Sequence, residues 1–138
     1  QKKVTLLLFL KTYDFLRELD VSYLHVFTYS ERENTRAFNM ANPVPKKERQ
    51  ERSVMLRTLS EKKKRYFYET QRDQIRTVLF EDNIEDGEMQ GYTENYVRIT
   101  AKYDPMLTNE LKKVRLSELD KKGTFQVLEI EEYLPILK

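Results

Sequence analysis

At 138 residues, 35% charged and 39% apolar, the chain can form one ordinary domain, or a small domain with a piece of another. It has no cysteine and a single histidine, His25. These residues therefore cannot make disulfides, thiolate nucleophiles, iron–sulfur ligation or cysteine zinc sites, and one imidazole does not build a metal site or a triad. No apolar run approaches the roughly 18 residues needed to span a bilayer, so no membrane partner is expected and the reading is cytoplasmic. The apolar stretch 4–10 is short and is not followed by a small-residue cleavage site. The net charge of +2 hides an asymmetry. Residues 1–65 carry 15 Lys/Arg against 8 Asp/Glu, net +7, and residues 66–138 carry 10 against 15, net −5. The densest basic stretch is 46–65, with 9 against 3. Such a block attracts phosphates, and it is also what an ordinary solvated helix looks like.

In chain order, 5–19 reads as a helix whose buried stripe is Leu8, Thr12, Phe15 and Leu19, with Leu16 beside it. Residues 22–29 read as a strand, with Tyr23, His25, Phe27 and Tyr29 alternating with Leu24, Val26 and Thr28. Both faces lack charge, which predicts burial on both sides, as in a parallel sheet under helices. The loop that follows, 30–35, lies where α/β folds place chemistry. Ser30, Arg32 and Thr35 can hold an anionic ligand there, or they can simply cap a short helix over 36–40. Asn42-Pro43-Val44-Pro45 breaks the chain. A long helix is predicted from Lys46 to about Gln71, its narrow apolar stripe running through Met55, Leu59 and Tyr66 with Leu56 and Phe67 alongside.

From Arg72 the period becomes two. Strands are predicted over 75–81, 88–91, 92–102, 111–119 and 124–132. Residues 82–87 form an acidic turn, and Gly91 supplies positive φ at a bulge. Five short strands about ten residues apart suggest a small antiparallel barrel. The stretch Gly91–Thr100 carries the most information. It places Tyr96, Arg98 and Thr100 on one face, and Asn95, Val97, Ile99 and Ala101 on the other. A face of aromatic, cation and hydroxyl suits nucleic acid, and it also suits an ordinary wet strand.

The segment Leu24-His25-Val26-Phe27-Thr28-Tyr29-Ser30-Glu31-Arg32-Glu33-Asn34-Thr35-Arg36-Ala37 resembles the end of the radical-SAM barrel of the bacterial tRNA methylthiotransferases. That family continues with a helix bearing Glu-Arg, matched by Lys47-Glu48-Arg49, and closes with a small TRAM β-barrel. The barrel's two characteristic strands match Val78-Leu79-Phe80-Glu81 and Gly91-Tyr92-Thr93-Glu94-Asn95-Tyr96. The resemblance covers about residues 11–131 and is nearest the branch that methylthiolates C2 of N6-threonylcarbamoyladenosine beside the anticodon. Where the family carries a Gly-Pro-Gly-Glu-like loop, this chain has Gln1-Lys2-Lys3-Val4-Thr5-Leu6-Leu7-Leu8.

The resemblance implies an α+β chain. Residues 1–41 would be the remnant of an α/β radical-SAM barrel, 42–71 a linker with a long basic helix, and 72–138 a five-stranded antiparallel TRAM (OB-like) barrel. It implies a parent enzyme using two 4Fe-4S clusters and S-adenosylmethionine. The cluster cysteines are absent, so a C-terminal piece with no catalytic or metal residues of its own, inactive alone, is expected. Phe27, Tyr29, Ser30 and Arg32 would lie near S-adenosylmethionine. The tRNA anticodon arm would be the partner, held by Lys62, Lys63, Lys64, Arg65, Tyr92, Asn95, Tyr96 and Arg98. Exposed strands pair, so a homodimer or swapped assembly fits the same reading. The competing readings are a stand-alone β-barrel that binds protein, favoured by its net −5, and a hydrolase using paired carboxylates. The latter lacks carboxylates at the ends of neighbouring strands.

Overall fold

The architecture comes from a computed structural model that describes residues 2–127 and 130–132. The chain divides into two units between Phe67 and Tyr68.

The first unit is built on two helices. Helix α1, Lys2–Glu18, begins earlier than the sequence suggests. Its inward positions are Thr5, Phe9, Tyr13 and Leu16, each partly covered. Leu8 and Phe15, expected in its core, are 58% and 63% exposed. The neighbour that covers α1 is helix α2, Lys46–Thr70. Arg52 of α2 stacks over the Phe9 ring at 5.2 Å and reaches the Thr5 hydroxyl at 3.5 Å. Those two contacts select the Thr5–Phe9 stripe over the more apolar Leu8–Phe15 stripe.

Residues 22–29 are extended but belong to no sheet. The expected doubly buried strand is replaced by one with a single covered side. Ser22, Leu24, Val26 and Thr28 are partly covered, while Tyr23, His25, Phe27 and Tyr29 are exposed. The period of two survives because extended backbone alternates its side chains whatever lies beside it. Among the described residues no strand flanks it, and α2 supplies hydrogen bonds in place of a ladder. Ser60 Oγ accepts the Leu24 N–H and donates to the Leu24 carbonyl, both at 2.8 Å. The Thr28 hydroxyl donates to Ser53 Oγ at 2.9 Å. The covered face of α2 is therefore Arg49, Ser53, Leu56, Ser60, Lys63 and Phe67, a polar seven-residue repeat. Of the apolar stripe expected there, Leu59 is buried and Leu56 and Phe67 are partly covered, while Met55 is 40% and Tyr66 75% exposed. Between the helices a 3-10 turn, Arg36–Asn39, is capped by Thr35, whose hydroxyl accepts the Phe38 N–H.

Among the described residues the second unit is a seven-stranded mixed sheet rather than the expected five-stranded antiparallel barrel. Its strands are β1 Ile75–Glu85, β2 Glu88–Thr93, β3 Arg98–Lys102, β4 Leu111–Arg115, β5 Glu118–Leu119, β6 Phe125–Val127 and β7 Ile130–Glu132. Their order is β5-β6-β3-β2-β1-β4-β7, with β3 and β6 parallel. The two ends, β5 and β7, are not neighbours, so the sheet is open among the described residues. Helices and sheet together make the class α+β.

Three local features move the strand boundaries from those expected. The acidic turn is shorter than expected. Strand β1 runs on to Glu85, and Asp86-Gly87, at φ 52° and 79°, makes a two-residue hairpin turn with both central residues left-handed. The long strand 92–102 is interrupted because Tyr96 sits at φ 63°, which turns the chain between β2 and β3. The strand 111–119 is split at Leu116, whose N–H bonds to the Gln74 carbonyl at 3.0 Å and whose carbonyl accepts from Asp73 at 2.7 Å. The core beneath the sheet is Val78, Phe80, Met89, Val97, Ile99, Val114, Leu116 and Phe125, all with no solvent exposure.

The β5–β6 hairpin is locked by Asp120. Its carboxylate accepts the backbone N–H groups of Lys122 and Thr124, at 2.8 and 3.0 Å, and the Thr124 hydroxyl at 2.8 Å. Partial burial pushes this carboxyl up. The Thr124 and Lys122 hydrogen bonds and the Lys122 charge outweigh that and hold it below the usual carboxylate range. A depressed folded value stabilises the fold at pH above the unfolded carboxylate range, and that contribution fades as pH falls through the folded value. Asp120→Ala is expected to cost about 1–2 kcal/mol at neutral pH. The gap in melting temperature from the native chain should narrow as acid protonates Asp120. A gap that is constant from pH 7 to pH 3 would sink this assignment.

Candidate nucleic-acid interface

The register of the sheet determines which side chains share its outer face. Tyr92 pairs with Arg98 across β2–β3 and with Leu79 across β2–β1, and Leu79 pairs with Leu111 across β1–β4. Directly opposed residues point the same way. Leu111, Leu79, Tyr92 and Arg98 thus form one row across four strands. The next positions along the same face include Thr77 paired with Lys113, Ile75 paired with Arg115, and Gln90 paired with Thr100. Leu79, Ile75, Leu111 and Tyr92 are 47%, 46%, 38% and 38% exposed, although each has a strand on both sides or one firm neighbour. A face with four exposed apolar or aromatic groups and cations Arg98, Lys113 and Arg115 is unlike a simple wetted sheet. Acidic residues cluster at Glu81, Asp82, Glu85, Asp86 and Glu88 around the β1–β2 hairpin, and the β4–β7 register also sets Glu132 opposite Lys113.

Arg98 is held at both ends. Its backbone N–H donates to the Tyr68 hydroxyl at 2.9 Å, and its guanidinium bonds Gln90 Oε1. Its Nε is enclosed and has no partner among the described residues, and neither has the Thr100 hydroxyl two residues along the same face. Asn95 faces inward. Its amide donates to Gln71 Oε1 at 3.0 Å and its Oδ1 accepts the Thr93 hydroxyl at 2.6 Å, so it fixes the β2–β3 turn. That turn presents Tyr96, which is 74% exposed. The Tyr96 N–H bonds the Thr93 carbonyl at 3.0 Å, and the Val97 N–H bonds the Thr93 hydroxyl at 2.8 Å. A left-handed, non-glycine residue costs on the order of 1 kcal/mol or more, which this network must hold in place.

The remaining candidates lie in the first unit. Lys62 and Arg65 are exposed on α2, and Lys64 is partly covered. Lys63 turns inward, where its ammonium donates to the carbonyls of Arg17 and Leu19 at 2.9 and 2.8 Å. It satisfies the end of α1, where a cation also suits the helix dipole. Phe27 is 86% exposed, and Ser30 and Arg32 are also exposed. Tyr29 lies under the Arg49 guanidinium, 5.4 Å from its ring centre, and its carbonyl accepts from Arg49 at 3.1 Å. The same guanidinium binds Glu31 at 2.8 Å and so holds that carboxyl below its ordinary value. Arg49 is thus the clamp that shapes the 29–31 loop. Sequence reasoning had it only as part of a family motif.

Leu79, Leu111 and Lys113 were not among the sequence candidates. The signal was partial: alternation put Ile75, Thr77 and Leu79 on one face, but only the register shows that this face is the one bearing Tyr92 and Arg98. No group of three or more His, Asp or Glu that could hold a metal occurs among the described residues.

No family model matches the chain. Individual proteins do. Over 92 residues, 66% of the chain, it is 35% identical to threonylcarbamoyladenosine tRNA methylthiotransferase MtaB of Aquifex aeolicus. Over 112 residues, 78% of the chain, it is 29% identical to the protein of the same name from Bacillus subtilis. Within this stretch the chain belongs with the threonylcarbamoyladenosine tRNA methylthiotransferases. It spans 21% and 25% of the length of these two relatives. The resemblance read from the Tyr-Ser loop, the Glu-Arg helix and the two sheet motifs is therefore supported, including its branch. A chain with no cysteine does not fit an iron–sulfur cluster.

Proposed function

We propose that this chain is the tRNA-holding, C-terminal portion of a cytoplasmic radical-SAM enzyme that methylthiolates C2 of N6-threonylcarbamoyladenosine. The observation that carries the reading is its 35% identity to a methylthiotransferase named for that nucleoside. The chemistry belongs to the whole enzyme, whose cofactor supplies a radical. The residues here bind and position. Phosphates of an anticodon arm meet Lys62, Lys64 and Arg65 on α2. Tyr92, Tyr96 and Arg98 on the sheet unit offer planes and a charge to bases that are unstacked in an anticodon loop. Asn95 contributes by holding the turn that carries Tyr96. Lys63 contributes by fixing α1, and Phe27, Tyr29, Ser30 and Arg32 border the S-adenosylmethionine side. When the chain is alone, the extended segment 22–29 would favour a homodimer or swapped assembly, because its backbone groups lack a ladder. The alternative of a protein-binding barrel draws support only from the net −5 of the second half.

Titration of a labelled tRNA anticodon arm with the 138-residue chain tests the reading. Binding should weaken steeply with salt. Replacing Lys62 and Arg65 with Gln should reduce the slope of log affinity against log salt by roughly 1.4–1.8, the counterion release of two phosphates. No binding at low salt by a folded chain would defeat the proposal.

A further inference from the structure

A homodimer and a swapped assembly both fit the extended segment 22–29, and its two edges distinguish them. In extended backbone the N–H and carbonyl of one residue point to the same edge, and those of the next residue point to the other. Leu24 gives both of its groups to Ser60 of α2, at 2.8 Å each. The edge of Ser22, Leu24, Val26 and Thr28 therefore belongs to α2. It is anchored at both ends of the segment. The Thr28 hydroxyl bonds Ser53 at 2.9 Å and Arg57 at 3.3 Å, and Arg49 holds the Tyr29 carbonyl and the Glu31 carboxylate just beyond. The opposite edge is that of Tyr23, His25 and Phe27. Among the described residues their backbone N–H and carbonyl groups have no partner. Their side chains share an exposed face, with Phe27 86% open. Charges and prolines normally protect such an edge from other chains. Residues 21–29 contain no Lys, Arg, Asp, Glu or Pro.

We propose that this free edge pairs antiparallel with the same edge of a second copy of the chain, with the two-fold axis at His25. The edge is its own complement, as an isologous contact requires. With the axis there, His25 stands opposite His25 of the partner subunit, and Tyr23 stands opposite Phe27 of the partner subunit. Each opposed pair exchanges both of its N–H···O bonds. The exposed face then sets aromatic beside aromatic, a favourable cross-strand pair, and no like charges meet. Exchanging the segments would break the Ser60, Ser53 and Arg49 bonds in one chain only to remake them in the other. It would still leave the edge of Tyr23, His25 and Phe27 unpaired, whereas an added strand satisfies it. This rests on reading segment 22–29 as a strand without a ladder and deepens it, because it names the edge, the register and the partner. It does not depend on tRNA binding.

Sedimentation of the 138-residue chain over about a hundredfold range of concentration should show a monomer–dimer equilibrium. His25→Pro removes an outward N–H, and the preceding Leu24 is already extended, as a proline requires. That variant should melt as the native chain does and stay monomeric throughout. The absence of cysteine allows a geometric test as well. Opposed residues of a hydrogen-bonded pair lie about 5.5 Å apart at Cα, within disulfide reach. Under mild oxidation His25→Cys should cross-link to itself. Tyr23→Cys should not, because its own counterpart lies roughly 14 Å away along the ladder, but mixed with Phe27→Cys it should cross-link to that chain. If His25→Pro fails to fold, the cysteine pattern decides. A monomer at every concentration overturns the inference. So does a dimer that persists in folded His25→Pro, as a swapped one would, or Tyr23→Cys cross-linking to itself as readily as His25→Cys. Titration of the anticodon arm is read separately. A monomer that binds it removes this inference and keeps the tRNA reading, and a dimer with the expected cross-links that does not bind it does the reverse.

Discussion

Gly91→Ala should destabilise the sheet unit by on the order of 3 kcal/mol, the cost of forcing atoms into a filled interior. Backbone strain is not the reason, since Gly91 does not have positive φ. A methyl group there would lie 2.6 Å from the Leu79 carbonyl oxygen and 2.8 Å from Val78 Cγ1. The first of these is main chain in the middle of β1, and it can move only by separating β1 from β2. The comparison is Gly87→Ala. Gly87 has φ 79° in the Asp-Gly turn but faces open space, so alanine there should cost only about 1 kcal/mol. Urea melts of the two variants check both numbers. A Gly91→Ala chain no less stable than Gly87→Ala would refute the close-approach account.

The same glycine shows what sequence could and could not disclose. That a glycine between two strand-like runs has a structural reason was legible. Which reason it was depended on β1 lying across it, and pairing is not written in either strand. Where local chemistry decides, the sequence was sufficient. Thr35 caps the short 3-10 turn, the two prolines stop the chain before α2, and α2 runs without interruption to Thr70. The Asp86-Gly87 turn was equally local, and a reading that grouped it into a longer acidic loop passed over the strongest hairpin signal in the chain. Tyr96 was harder. Nothing in its type favours a left-handed backbone, and what holds it there is a network through Thr93, Asn95 and Gln71.

The first unit departs from the usual rule for reading a helix. The covered side of α2 holds Leu56, Leu59 and Phe67 as its apolar pattern predicts, and it also holds Arg49, Ser53, Ser60 and Lys63. The cause is the partner. An extended segment without strand neighbours brings free backbone groups against α2, and these require donors and acceptors more than they require methyl groups. Ser60 serves one residue's N–H and carbonyl at once, as a neighbouring strand would. Of the candidate site, residue types were visible in advance and their grouping was not. Tyr92 and Arg98 come together by register, Asn95 and Lys63 are drawn into the framework, and Leu79, Leu111 and Lys113 join the exposed face only once β1 and β4 are placed.

Tyr68 is where the fold and the proposed site meet, and its two substitutions should separate packing from hydrogen bonding. The residue is 3% exposed, its ring stacks 6.1 Å from Phe125, and its hydroxyl accepts the Arg98 N–H. Tyr68→Ala removes ring and hydroxyl and should cost about 3–5 kcal/mol of the sheet unit's stability, as for a buried aromatic. Tyr68→Phe keeps the ring but leaves the first amide of β3 without its acceptor, at a cost of about 1–3 kcal/mol. Urea melts of both variants should therefore rank alanine well below phenylalanine. Equal losses would mean that the Phe125 contact contributes nothing. The phenylalanine variant carries a second readout, because Arg98 starts β3 and is positioned by that bond. If the guanidinium holds a phosphate only when β3 begins in this register, Tyr68→Phe should weaken binding of the anticodon arm although Tyr68 itself is buried. A phenylalanine variant that melts early yet binds with native affinity would show that Gln90 alone suffices to aim Arg98.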